Sequence, residues 1–326
     1  MFCIGLKDAK SAETTTMNTK LADGGGPIGS IQLNPADVVV GPGQSVTFKV
    51  RQFQRGSDFG FADAEKCEWS LPQPPLPPGA KSQPPALDGQ LKNGVLTVDA
   101  KKAAQQGYVM VKFGEFTAKA RVRVAPVLPY VQDFSKIPDG AVPGGWVNAQ
   151  GKFVVGTVDG VKVLKKVTDK ASPLVARGNA YIGLPDLTDY TIEADVMGGQ
   201  VGENLPDFGV VANRYVLMFQ GNSQKLRVVS WDALPRVDNT IGYKVLPGVW
   251  YRMKLTVEIK GDRGMIRGKA WPREGAEPTE WSVSLDDPRP NREGSPALYG
   301  YVTGHVGPTP GTDIFYANVR VTPNKK

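Results

Sequence analysis

Apolar and polar residues alternate with a period of two along much of this chain. In "TAKARVRV", Ala118, Ala120, Val122 and Val124 fall on one side and Lys119, Arg121 and Arg123 on the other, the pattern of a strand with one face buried. In "DYTIEADVMGG", Tyr190, Ile192, Ala194 and Val196 share one face while Thr191, Glu193, Asp195 and Met197 share the other. Phe48 and Val50 alternate with Thr47 and Lys49, after a turn at Gly41-Pro42-Gly43. "CEWSL" predicts a strand that places Trp69 in a core, and "NGVLTVDA" and "GYVMVKFGEFTAKARVRVAP" supply further strands. From residue 152 onward the runs follow one another closely: "KFVVGTVDGVKVLKKV", "AYIGL", "DYTIEADVMGG", "DFGVVANRYVLMFQG", "KLRVVSW", "WYRMKLTVEIKG", "GMIRGKAW", "EWSVSLDD", "ALYGYVTG" and "TDIFYANVRVTP". The stretch "MKLTVEIKGDRGMIRGKAW" predicts a hairpin turning at Gly261-Asp262-Arg263-Gly264.

The punctuation agrees with the pattern. With 38 Gly and 27 Pro in 326 residues and almost no helical periodicity, the chain reads as all-β. Residues 1–29 read as a short apolar strand followed by a flexible, Gly-rich linker. Residues 30–126 form one predicted domain of short strands, interrupted at 71–85 by "LPQPPLPPGAKSQPP", which favours extended polyproline II and cannot be a central strand. The run is also a conceivable ligand for a proline-recognising domain. Residues 127–326 form a second, larger domain, an antiparallel sandwich, because no crossover helices separate its strands.

Charge and reactive residues narrow the chemistry. The net charge is +7, but the basic residues are scattered and form no stripe interleaved with aromatics, so a nucleic-acid site is not expected. No apolar run reaches the length of a membrane helix. The opening "MFCIGLKDAKSAE" lacks the basic and apolar regions of a signal peptide. Cys3 and Cys67 have no metal-ligand spacing and read as two thiols, with a disulfide as the other option. One histidine, His305, leaves little material for a zinc site or a Ser-His-Asp triad, and it reads as a loop residue.

Three resemblances add to this. "MFCIG", Met1 to Gly5, resembles the last strand of a blade in bacterial quinoprotein-like (PQQ-like) β-propellers, which implies an upstream propeller in a longer chain; a disordered or docking N-terminus is the other reading. "LNPADVVVGPGQSVTFKV", "EWSL", "NGVLTV" and "ARVRV" together resemble a bacterial Ig-like domain, implying a Greek-key spacer or adhesion module. "DFSKIPDGAVPGGW", "DYTIEADVM", "PGVWYRMKLTVE", "KAWPREGAEPTEW" and "DIFYANVRVTP" resemble the concanavalin A-like jelly roll of laminin-G-type modules, including bacterial glucosidase-like and 3-keto-glycoside hydrolase-related domains. That resemblance implies a two-sheet sandwich whose concave face binds carbohydrate, in an extracytoplasmic setting.

Glucanases of that fold use Glu-x-Asp-x-Glu on one strand, so that two carboxylates flank the glycosidic bond. Glu193 and Asp195 fit the first two positions, but Met197 or Gly198 stands at the third, and the motif is incomplete. Glu193 and Asp195 are therefore weak catalytic candidates. Asp207, Glu277, Glu280, Asp286, Asp287 and Asp313 are further carboxylates whose pairing the sequence does not define. Related modules often place Asp before the Asn-Val of the last strand. This chain has Ala317 there, which puts a calcium site in doubt, although Asp133, Asp139 and Asp313 offer oxygens. Sugar binding needs flat apolar faces beside polar groups, and Arg214, Tyr215, Arg227, Trp231 and Tyr301 are the candidates for such a face. The expectation is a non-catalytic carbohydrate-binding or adhesion module, with a glycan or cell-surface polysaccharide as partner and no cofactor. A glycoside hydrolase with an unidentified carboxylate pair, or a structural spacer beside a propeller, are the alternatives.

Overall fold

The computed structural model describes residues 28–54, 57–76, 83–101, 104–170, 172–230 and 235–324. The "MFCIG" strand, most of the linker, Cys3 and Trp231 lie outside the described residues. The fold is all-β. Among the described residues, no helix is long and apolar enough to cross a membrane.

The first segment builds three small sheets. Ser30–Asn34, Lys49–Gln54 and Ser57–Ala62 form one; Asp37–Val40, Phe116–Val124, Gln105–Phe113 and Glu68–Ser70 form the second; Ser45–Thr47, Val95–Val98 and Gly89–Lys92 form the third. Their alternating residues Leu33, Phe48, Val50, Leu96, Val109, Val111, Ala120, Val122 and Val124 meet in one core. Trp69 packs at the edge of this core and donates Nε1–H to the Ala64 carbonyl at 2.9 Å. Gly94 makes that packing possible: its φ is +78°, and a Cβ there would lie 2.9 Å from the Trp69 ring. The described parts of the proline-rich run, 71–76 and 83–85, carry neither helix nor strand, as expected for residues that cannot donate to a ladder.

The second segment is a two-sheet sandwich, antiparallel throughout. One sheet runs Phe153–Val158, Val161–Lys166, Ile314–Pro323, Tyr190–Gly198, Tyr251–Lys260, Arg263–Pro272 and Val283–Asp287, with Tyr130–Gln132 also paired to Ile314–Pro323. The other runs Arg177–Tyr181, Ala297–Tyr301, Asp207–Ala212, Tyr215–Gln220, Lys225–Ser230 and Asp238–Gly242. Period-two alternation buries Tyr190, Ile192, Ala194 and Val196 of one sheet against Phe208, Val210, Leu217, Phe219, Leu226 and Val228 of the other.

Two turns differ from the sequence expectation. The run "DFGVVANRYVLMFQG" is a hairpin and not one strand: Asn213 and Arg214 form a two-residue turn with φ of +45° and +64°. Positive φ at both central residues matches the right-handed twist of the flanking strands, and Asn tolerates it well. The hairpin at 251–272 turns on Gly261 and Asp262 alone, because Lys260 pairs directly with Arg263.

A buried lysine crosses the core. Lys166 is fully buried, sits over the Phe153 ring at 4.9 Å, and donates to the Lys152 carbonyl at 3.2 Å and to the Val175 carbonyl. Burial, reinforced by the nearby Lys152 charge, pushes its ammonium down to about 8. Gly178 and Gly300 pair across the opposite sheet and leave it room: a Cβ on Gly300 would lie 2.8 Å from the Tyr316 hydroxyl and 3.4 Å from Lys166 Cδ.

Candidate functional site

The outward side of the six-stranded sheet gathers residues from six strands into register rows. Cross-strand partners point to the same face, so one row reads Arg177, Tyr301, Asp207, Gln220, Lys225. The next reads Asn179, Tyr299, Gly209, Met218, Arg227, Thr240, and a third reads Tyr181, Ala297, Val211, Val216, Val229, Asp238. The face is graded. Val211, Val216, Met218, Val229, Ala297 and Tyr299 are buried together at one end, flanked by Tyr181 and Tyr301. At the other end Arg177 and Lys225 are exposed, and Tyr301, Asp207 and Gln220 are half-buried.

The polar groups differ in how far they are satisfied. The Arg177 guanidinium lies 4.3 Å from the centre of the Tyr301 ring and enters no side-chain hydrogen bond or ion pair among the described residues. Asn179 is 5% exposed; its Nδ2 donates to the Tyr181 hydroxyl at 3.0 Å, while its Oδ1 has no partner among the described residues. Arg227 is held by Asp238, Nε to Oδ2 at 2.8 Å. That bond holds the Asp238 carboxyl below its usual value. Burial pushes the Asp207 carboxyl above its usual value, against the lowering effect of the Gly221 N–H at 3.1 Å and of Arg177. Burial likewise pushes the Tyr299 hydroxyl up to about 12.

No family model matches the chain, and no curated protein matches its sequence. Some solved structures are similar to it in three dimensions. One, from work on endo-acting O-glycanases of the human gut microbiota that initiate mucin breakdown, is 11% identical with a TM-score of 0.38, over 60% of this chain and 99% of the other. A bifunctional GH43-CE protein of Bacteroides eggerthii is 13% identical with a TM-score of 0.38; 85% of this chain is covered, but it spans only 38% of that one. The GH131 β-glucanase catalytic domain of Podospora anserina is 7% identical with a TM-score of 0.34, over 55% of this chain and 81% of the other.

Of the five expected sugar-binding residues, Arg227 and Tyr301 stand on this outer face. Tyr215 does not: its ring lies in the core between the sheets, and its hydroxyl donates to buried Asp287 at 2.6 Å. The Asn213-Arg214 turn is the cause, because it restarts the alternation and turns Tyr215 inward. Arg214 itself sits in that turn and donates Nε–H to the Glu293 carbonyl at 3.2 Å. Trp231 lies outside the described residues. Sequence reasoning missed Arg177, Asn179, Tyr181 and Gln220. The alternation in "RGNAY" marks the first three as one face, but nothing local indicates which strand they join.

Glu193 and Asp195 point outward from the other sheet. Asp195 is completely buried and accepts from Arg252 Nε at 2.7 Å, Arg252 Nη2 at 3.2 Å and Asn318 Nδ2 at 2.7 Å. Asn318 reaches it because the strand bulges there, with Asn318 at φ +48°. Glu193 lies 3.6 Å from Lys254, which also binds Glu277 at 2.8 Å. Although partly desolvated, Glu277 is held below its usual value by Lys254 and Lys269, so it is poorly suited to donate a proton. For calcium, Ala317 offers no side-chain oxygen and Asn318 is committed to Asp195. Asp133, Asp139 and Asp313 bond separately to Ser135, Lys162 and Lys165. Among the described residues, no cluster of three His, Cys, Asp or Glu could hold a metal ion.

Proposed function

We propose that this chain is a non-catalytic carbohydrate-binding or adhesion module, with an oligosaccharide seated on the outer face of the six-stranded sheet. The carrying observation is the row Arg177, Tyr301, Asp207, Gln220, in which an aromatic ring stands among planar polar groups on an open surface. Rings of this kind accept the C–H side of a sugar, and the flanking carboxyl, amide and guanidinium groups match its hydroxyls. The first segment serves as an Ig-like spacer, and the setting is extracytoplasmic, in a longer protein that carries an upstream propeller.

Carboxylate spacing on this face supports binding over hydrolysis. Asp207 and Asp238 lie three strands and four residues apart, roughly 20 Å from strand geometry. Glycosidase pairs need about 5 to 9.5 Å. The enzymatic reading keeps one point in its favour, the raised Asp207 carboxyl, which suits a proton donor. A glycan array with wild type and Tyr301→Ala tests the binding reading: retention that disappears in the variant supports it. Reducing-sugar release lost in Asp207→Asn would replace it with the enzymatic one, and turnover lost in Asp195→Asn would point to the opposite sheet.

A further inference from the structure

Resting on the glycan-binding reading, we propose that this face selects anionic oligosaccharides, with Arg177 as the specificity-determining residue for a carboxylate or sulfate on the sugar. The face carries five formal charges in its register rows: Arg177, Lys225 and Arg227 against Asp207 and Asp238. Arg227 and Asp238 neutralise each other. What remains is two cations and Asp207, whose charged form is disfavoured by its burial.

Neither remaining cation has an ion pair or a side-chain hydrogen bond among the described residues, while Arg227 in the adjacent row has both. Arg177 is oriented without being neutralised. The Arg177 guanidinium sits over the Tyr301 ring, its carbon 4.3 Å from the ring centre, and this contact leaves its N–H groups their donor capacity. A planar fork held this way matches the two oxygens of a carboxylate or sulfate, and charge-assisted bonds of this kind are about twice as strong as neutral ones. Lys225 stands in the same row four strands away, roughly 19 Å from strand spacing. An oligosaccharide lying across the strands would therefore meet a cation at each end and Tyr301, Asp207 and Gln220 between them. Of the two cations, Arg177 is the one that sits over an aromatic ring and offers a planar fork of donors, so the oxyanion belongs at the Arg177 end.

The test is an array of matched oligosaccharide pairs, each uronate-bearing member beside its carboxyl-reduced form and each sulfated member beside its desulfated form. It is read with wild type, Arg177→Gln, Arg177→Lys and Tyr301→Ala. The expected result is preferential binding of anionic members, weakened about tenfold or more in Arg177→Gln, partly rescued in Arg177→Lys, and falling with salt. Which pairs discriminate tells carboxylate from sulfate. Equal binding within pairs, or unchanged binding in Arg177→Gln, overturns the proposal and leaves glycan binding standing. No binding to any member overturns both.

Discussion

The two outer faces of the sandwich use similar residues to opposite ends. On the eight-stranded sheet, Asp195 takes Arg252 and Asn318, Glu277 lies between Lys254 and Lys269, and Arg273 covers the Trp250 ring at 5.1 Å. Most charges on this face have a partner within it; Arg320, exposed opposite Glu193, has none among the described residues. On the six-stranded sheet Arg177 and Lys225 have no ion pair among the described residues, and Tyr301 lies half-buried beside Arg177. A carboxylate already bound by three donors has little left for a ligand, whereas an oriented cation without a counter-ion does. The pair of acids that stands out in the sequence is thus on the self-satisfied face.

The largest effect tests whether the interior behind both faces is independent of either. Lys166 has a folded value of about 8, below its unfolded value of 10.5. Between those values the unfolded chain holds more protons, so stability should rise with pH across that window, by up to ~3 kcal/mol. Denaturation from pH 7.5 to 10.5 should show this rise in wild type and lack it in Lys166→Met, with glycan binding of the two proteins alike at pH 8. Next comes the self-satisfied face: Asp195→Ala should destabilise by about 2 kcal/mol, since Arg252 is a third exposed and recovers some solvation. Its glycan binding should be unchanged, and a parallel loss of both would end the division of labour between the faces. Tyr301→Ala should behave inversely, with binding weaker by about 1 to 1.5 kcal/mol and stability shifted less. The smallest effect concerns Asp207. Its raised carboxyl makes the ionised form unfavourable in the fold, so stability should decline slightly as pH rises through the folded value. Asp207→Asn should remove that decline in a stability profile from pH 3 to 7.

Much of the fold was legible because strand alternation is a local signal. Tyr190, Ile192, Ala194 and Val196 form the inward set the sequence predicts, and Ala120, Val122 and Val124 do the same in the first segment. The candidate binding face was legible only in fragments. Arg177 meets Tyr301 through a pairing between residues 124 positions apart, and no local pattern encodes such a pairing. Tyr215 was misread because an Asn-Arg turn without glycine gives a weak turn signal, and a missed turn changes which face each following residue joins. The bulge at Asn318 was hidden for a similar reason: one extra residue in "DIFYANVRVTP" leaves the hydrophobic pattern readable on both sides.

The facing glycines Gly178 and Gly300 bring the strands of Arg177 and Tyr301 close to the interior. The strands that carry Arg177 and Tyr301 rest, through those bare positions, on Lys152, Lys166 and the Tyr316 hydroxyl, which donates to the Tyr299 carbonyl at 2.5 Å. The six-stranded sheet therefore lies close on its underlying side chains at this point, with no room for a further carbon at residue 300. A single methyl group at residue 300 would have to push the Tyr316 hydroxyl or this pair of strands aside.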